Sequence, residues 1–262
     1  MNFLIVDYIK MECDKEITQE SSVFDCLYDV YYPGWSEKLE SHKGAIGKIS
    51  QIIERKESEF GQYYPLKKNL FKFLEITPLE KVKVVIWGQD PYPTLLPDGT
   101  PRAQGYSFGV EKSDQIPQSL KNVYKEIEKD FPTFKAPNHG DLRWLANQGV
   151  LFMNQSLTYC PKNPKAYLNL WNRFTYIIIN IINENVENCI HLLWGKQCEP
   201  LAEHIKSREI YQTSHPSPFS VRRGFQGCKH FLKVNITLKR QGRDQINWNE
   251  NNDLVPTYVE NL

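Results

Sequence analysis

VKVVIWGQDPY, residues 82–92, decides the fold of this chain. Its first six residues are apolar apart from Lys83, too few for a helix and rich in valine and isoleucine, as suits a strand covered on both faces. Gly88 and the Asp90-Pro91 pair then end it abruptly, because proline has no N–H to give to a sheet. The same arrangement, a short apolar run stopped by a polar turn, occurs three more times. VLFM at 150–153 runs into Asn154, CIHLLW at 189–194 into Gly195, and EIYQT at 209–213 into Ser214-His215-Pro216-Ser217-Pro218.

Helical patterns lie between these runs. Residues 119–130 open on Ser119 as a cap, residues 141–148 stop at Gly149, residues 171–183 are long and apolar, and residues 199–206 are short. Alternating strand and helix predicts a single α/β domain with a central four-stranded, mainly parallel sheet flanked by helices. A helical and acidic N-terminal region precedes it, with residues 1–22 expected to be a loosely ordered arm and residues 23–262 the folded domain. Open parallel sheets bind ligands beyond the carboxyl ends of their strands. Asp90, Asn154, Gly195 and His215, far apart in sequence, are therefore expected at one edge.

The 262 residues are 40% hydrophobic and 24% charged, the balance of a globular chain with a sizeable core. No apolar run approaches the ~18 residues a bilayer crossing needs, and the N-terminus lacks the basic and small-residue features of a secretory signal. An intracellular protein is expected, nuclear or cytoplasmic and not secreted. The six cysteines and six histidines are scattered with no metal-ligand spacing, so reduced structural thiols and no metal are expected.

The net charge is only +1, but it is unevenly spread. Asp7, Glu12, Asp14, Glu16, Glu20, Asp25 and Asp29 crowd the first thirty residues against Lys10 and Lys15. Between Tyr211 and Arg243 there is no acid, and Arg222, Arg223, Lys229, Lys233, Lys239, Arg240 and Arg243 accumulate. Such a basic face suits a phosphate backbone, whose neutralisation releases counterions; a solvated helix face would read the same on charge alone.

Several segments in order decide between these readings. GQDPY (88–92) and AQGYSF (103–108) resemble the water-activating loop and base-stacking segment of family 1 uracil-DNA glycosylases. IPQSLKNVYKEI (116–127), GDLRWLANQGVLFMNQSLT (140–158), LLWG (192–195), HPSPFSVRRGFQGCKHF (215–231) and INW (246–248) follow the same family's pattern, over about residues 63–248. The resemblance implies an enzyme that flips uracil out of DNA and hydrolyses its N-glycosidic bond, leaving an abasic site, without a cofactor. It implies that Asp90 and His215 are catalytic: Asp90 stabilises the cationic sugar and orients water, and His215, neutral, donates to the uracil O2 as anionic charge grows. Gln89, Tyr92, Phe108 and Asn154 would bind the base. The Asn154 amide offers a donor and an acceptor to the uracil edge, Tyr92 fills the space of a thymine methyl, and Phe108 stacks.

By the same resemblance Ser119, Gly195, Ser217 and Arg223 hold the DNA backbone and Phe219 is the wedge that enters the stack. Taken one at a time, Asp90 reads as a turn residue, His215 as a strand-end polar group and Phe108 as core; the ordered set carries the functional reading. A monomer is the family default. The acidic arm is read as a docking segment for a replication or repair protein.

Four positions depart from the family pattern. PTLLPDGTPR (93–102) replaces a short His-Gly-Pro link, Lys196 stands for the usual serine, Phe219 for leucine, and Arg222 for an aromatic residue. The altered 93–102 loop and the acidic arm leave a rival reading, a DNA-binding or processivity module with secondary catalysis, against which the retention of both Asp90 and His215 speaks. A second rival is a glycosylase of broader mismatch specificity, against which Tyr92 and Asn154 speak together.

Overall fold

The computed structural model describes residues 16–167 and 169–250. Four strands form the sheet: β1 (Val84–Gly88), β2 (Val150–Asn154), β3 (Ile190–Trp194) and β4 (Ile210–Thr213). They are ordered β2-β1-β3-β4 and every pairing is parallel, so the sheet is wholly rather than mainly parallel. Every residue of β1, β2 and β3 is buried. That is what their unalternating apolar sequences require. β4 departs from this expectation. It lies at the edge, half-exposed, and Gln212 faces solvent. β2 begins with its apolar run at Val150, β3 and β4 begin one residue later than theirs, and β1 two residues later.

The register sets the working edge. Gly88 pairs with Asn154, Trp87 with Met153 and Leu193, and Trp194 with Thr213. The carboxyl ends of all four strands therefore finish together, and the turns beyond them share one rim.

Before the sheet come α1 (Val23–Tyr28), α2 (Ser36–Leu39), α3 (Lys43–Phe60) and α4 (Lys72–Ile76). Ser22 caps α1 in a reciprocal box: its hydroxyl accepts from Asp25 N while the Asp25 carboxylate accepts from Ser22 N. On α3, Ile46, Ile49 and Ile53 are buried at helical spacing. Residues 1–15 of the expected arm and residues 251–262 of the expected domain lie outside the described residues. The described end of the arm is attached to the fold. Gln19 accepts from Lys67 N at 3.1 Å, and Ile17 packs on the core.

Between β1 and β2 lie α5 (Gln118–Asp130) and α6 (Arg143–Ala146), between β2 and β3 lies α7 (Asn172–Asn185), and α8 (His230–Arg240) follows β4. Three expectations are corrected here. α5 is not capped by Ser119: the helix starts a residue earlier behind Pro117, whose fixed φ of −60° ends the extended chain without a side-chain cap. The helix expected over residues 141–148 shrinks to α6, because Asp141 turns back to accept from Arg143 N and Gly149 at φ +97° stops the chain. The short helix expected over residues 199–206 is a 3-10 segment, Lys196–His204, with Pro200 inside it, which has no N–H for an α-helical ladder.

Two buried histidines fasten the sheet through tryptophans. Trp87 Nε1 donates to His191 Nδ1 at 3.1 Å, and Trp194 Nε1 to His230 Nδ1 at 3.2 Å. Burial lowers both imidazoles to about 3, so both are neutral in the folded protein. Below the ordinary value of 6.5 the unfolded chain binds protons that the fold refuses. Stability is therefore expected to fall as pH drops from 6.5 toward 3, the unfolded state holding the extra protons in that window. Urea unfolding across this range should show the slope, and His191→Gln, which keeps an acceptor for Trp87, should flatten it. An unchanged slope would mean that His191 titrates alike in both states.

Candidate active site

Beyond the strand ends lies a cleft of about 440 Å³. Gln89, Asp90 and Tyr92 reach it from the turn after β1, Asn154 from the last position of β2, and His215, Ser217 and Phe219 from the turn after β4. Phe108 lies on its wall and Ser119, in the first turn of α5, on its rim. Nine of the eleven residues singled out from the sequence thus meet in one place. The other two do not line the cleft. Gly195 stands behind His215, where a Cβ would come within 3.2 Å of the histidine Cβ, and has the positive φ of 109° that glycine tolerates. Arg223 is exposed on the short 3-10 turn Val221–Arg223.

Asn154 is buried, with 8% of its surface exposed. Its position depends on a missing side chain: a Cβ on Gly88, its partner in the sheet, would strike Asn154 Oδ1 and come within 2.9 Å of Ser107 Cβ. Gln155 N and Ser156 N then donate to Gly88 O and Gln89 O at 2.9 and 3.0 Å, binding the two turns together.

Phe108 has a φ of +64°, a left-handed conformation that costs a bulky residue about 1–2 kcal/mol. Tyr92 helps to hold it there, its Oη donating to Phe108 O at 2.9 Å. The Phe108 ring packs on Trp194 at 5.2 Å and lies 5.6 Å from the His215 ring. The wall is thus an aromatic plate with its backbone pinned. Burial of the Tyr92 phenol drives its pKa up, so it is a neutral donor.

Two ionisable groups complete the cleft. Burial lowers His215 to about 4. Its Nδ1 accepts from Ser217 N at 3.0 Å, which puts the single proton of the neutral ring on Nε2. The turn itself is held from several sides: Ser220 Oγ donates to His215 O at 2.7 Å, Ser214 Oγ to Ser220 O at 2.8 Å, and Asn122 Nδ2 to Pro216 O at 2.8 Å. Asp90 sits at the cleft mouth, exposed as a residue. Partial desolvation raises its carboxyl pKa, and a hydrogen bond from the Gln89 side chain counters the rise. With one wall apolar, one amide edge, one carboxylate and one neutral N–H donor, the cleft suits a flat heterocycle that becomes an anion beside a centre that becomes a cation.

Several contributors escaped the sequence reading. Tyr106, Pro93 and Pro218 line the cleft, and Asn122 and Glu126 support it from behind. Glu126, buried on α5, accepts from Gly227 N at 2.8 Å, and Asp130 from Leu232 N at 3.1 Å. The available signal was their spacing: Asn122, Glu126 and Asp130 form one polar row at i, i+4 and i+8. Among the described residues no group of three or more His, Cys, Asp or Glu side chains is placed to hold a metal ion, and no helix is long and apolar enough to cross a membrane.

Residues 75–239 match the family model of the uracil DNA glycosylase superfamily. A uracil-DNA glycosylase of Aliivibrio fischeri is 38% identical over 221 residues, covering 83% of this chain and 90% of that protein. One from Proteus mirabilis is 41% identical over 204 residues, 76% of this chain and 87% of that protein. The crystal structure of mimivirus uracil-DNA glycosylase superposes with a TM-score of 0.80 at 25% identity, covering 94% of this chain and 99% of that one.

The geometry makes a direct prediction for the imidazole. Nitrogen-15 resonances of His215 should report a proton on Nε2 at neutral pH and a titration near 4. A midpoint near the ordinary 6.5 would contradict the burial account.

Proposed function

The chain belongs to the uracil DNA glycosylase superfamily, and on that premise we propose how this cleft acts. The enzyme is a uracil-DNA glycosylase: it hydrolyses the bond between uracil and deoxyribose in DNA, releasing the base and leaving an abasic site. A base inside a duplex is out of reach, so the nucleotide must rotate into the cleft, and Phe219, 90% exposed at its rim, is suited to fill the space it leaves. The flipped ring stacks on Phe108. Its O4 and N3–H meet the donor and acceptor of the Asn154 amide, a pattern that cytosine, with opposite polarity, does not satisfy. Tyr92 stands where a thymine methyl would need room.

As the glycosidic bond breaks, the sugar gains cationic and the base anionic character. The Asp90 carboxylate faces the cation and orients a water for attack at the sugar carbon, while the His215 Nε2–H donates to the departing oxyanion. The observation that carries this reading is the His215 Nδ1 acceptor contact, since it makes the facing nitrogen a donor without making the ring a cation. A neutral donor costs less to bury than an imidazolium and remains a donor across the neutral range. Ser119, Ser217 and the Gly195 turn are suited to hold phosphates on either side, with Arg223 adding charge from the exposed turn.

The test is release of free uracil from a uracil-containing single-stranded oligonucleotide in EDTA. Asp90→Asn and His215→Leu should each lose roughly 10²–10³ in kcat, the scale set by removing one preorganised charge-stabilising group. Wild-type binding without release would favour a DNA-binding module on this fold instead. Activity should be level near neutral pH and fall on the acid side, as Asp90 takes up a proton above its ordinary value and His215 becomes cationic near 4. Tyr92→Ala should admit thymine; an undiminished preference for uracil over thymine would remove the steric account.

A further inference from the structure

Among the described residues only three large hydrophobic side chains are exposed: Phe219, Leu95 at 46% and Ile236. Ile236 lies on α8. The other two belong to segments that border the cleft, and only Phe219 has been given a task.

Leu95 sits on residues 93–102, which form a small hairpin. Leu96 N donates to Thr100 O at 2.8 Å, Arg102 N to Thr94 O at 3.0 Å, and Leu95 bridges Pro101 in antiparallel fashion. The Asp98 carboxylate accepts from Thr100 N and closes the tip. The base is tied down as well: Arg102 Nε lies 2.7 Å from Asp114, whose side chain is nearly buried. Burial is dear for a carboxylate unless it is paired, so this contact fixes the hairpin's stem.

The hairpin grows from the β1 turn, with Pro93 on the cleft wall, and Phe219 from the β4 turn. β3 lies between those strands, so the two roots stand two strand spacings apart, roughly 10 Å. The hairpin carries no basic residue before Arg102, which is already paired, and it does carry Asp98. Phosphate is therefore the wrong target for it. An apolar side chain exposed on a braced hairpin suits the face or edge of a nucleobase.

We propose that the 93–102 hairpin is a second DNA-contacting element, in which Leu95 bears on a base next to the flipped nucleotide, on the other side of the cleft from Phe219. The proposal rests on the glycosylase reading of the cleft. Two apolar contacts flanking one extruded nucleotide hold the gap open from both sides, where a single wedge would let the duplex reclose toward the unsupported side. Leu95 has no role in bond breaking; its effect falls on substrate longer than the cleft.

The experiment compares wild type, Leu95→Ser and Leu95→Met on a uracil-containing trinucleotide and on a duplex of about twenty base pairs. Leu95→Ser should raise KM on the duplex by roughly five- to tenfold, the scale of losing one apolar contact to a base. It should leave kcat on the duplex nearly unchanged and shift the trinucleotide constants far less; Leu95→Met should restore duplex KM. Fluorescence of 2-aminopurine beside the uracil should rise less on binding Leu95→Ser. Equal losses on both substrates would make the hairpin a support for the cleft, and no loss on either would leave Leu95 without a DNA contact; each overturns the proposal. If wild type releases uracil from neither substrate, the glycosylase reading has failed, whatever Leu95 does.

Discussion

Everything at the active site depends on the parallel pairing of β1 with β2 and β3, and above all on the register that sets Gly88 opposite Asn154. Register in a fully buried sheet is not negotiable, because a one-residue slip would exchange the faces of every side chain packed against the flanking helices. That rigidity passes to the turns. With Gln155 N and Ser156 N bonded to the carbonyls of Gly88 and Gln89, the Asn154 amide and the Asp90 turn move as one body. Gly88 is the point where the constraint is tightest, since the amide oxygen occupies the space its side chain would fill. Geometry fixed to this degree is what preorganised charge stabilisation requires, because groups that must reorient during the reaction lose much of their value.

The electrostatics follow from the same burial. Among the imidazoles that accept at Nδ1 are His191 and His230, from tryptophan indoles, and His215, from a backbone amide. Burial holds all three neutral. In the sheet this arrangement is structural and contributes acid sensitivity. At the cleft it leaves the His215 Nε2 as a donor, which is what the proposed stabilisation of the departing base requires. Asp90 is treated differently: it lies at the open mouth, where desolvation raises its pKa and the Gln89 hydrogen bond counters the rise. One cleft is thereby lined by both a carboxyl group and a neutral imidazole donor.

The strands and the gathering of Asp90, Asn154 and His215 were legible because they rest on local signals: short apolar runs, and the polar turn that stops each one. What could not be read depends on partners distant in the chain. The start of α5 did carry a local signal, Pro117, two residues before Ser119, whereas the edge position of β4 is decided by which strands pair. Pro200 within residues 199–206 could have signalled the 3-10 segment, but its meaning was clear only once the segment was seen to be short and tight. Phe108 read as a stacking residue from its motif, yet its left-handed backbone is a property of the Tyr92 contact sixteen residues away. The row of Asn122, Glu126 and Asp130 was visible as spacing, but its purpose lies in the turn after β4 and the start of α8.

The four departures from the family pattern fall in one class of place. The 93–102 hairpin, Lys196, Phe219 and Arg222 are all on the turns that surround the cleft, and none is in the register-locked floor. This division has a physical basis. A change in the floor shifts Asn154 or Asp90 relative to the bond being broken, and the rate falls steeply with such displacement. A change on the rim alters how DNA is gripped and bent, where many contacts of modest strength can substitute for one another. In the proposed reading a larger wedge, a cation in place of a hydroxyl and an apolar hairpin are all changes in the hold on the strand around the extruded nucleotide. On that reading the chemistry rests on the sheet and the grip on DNA on the loops.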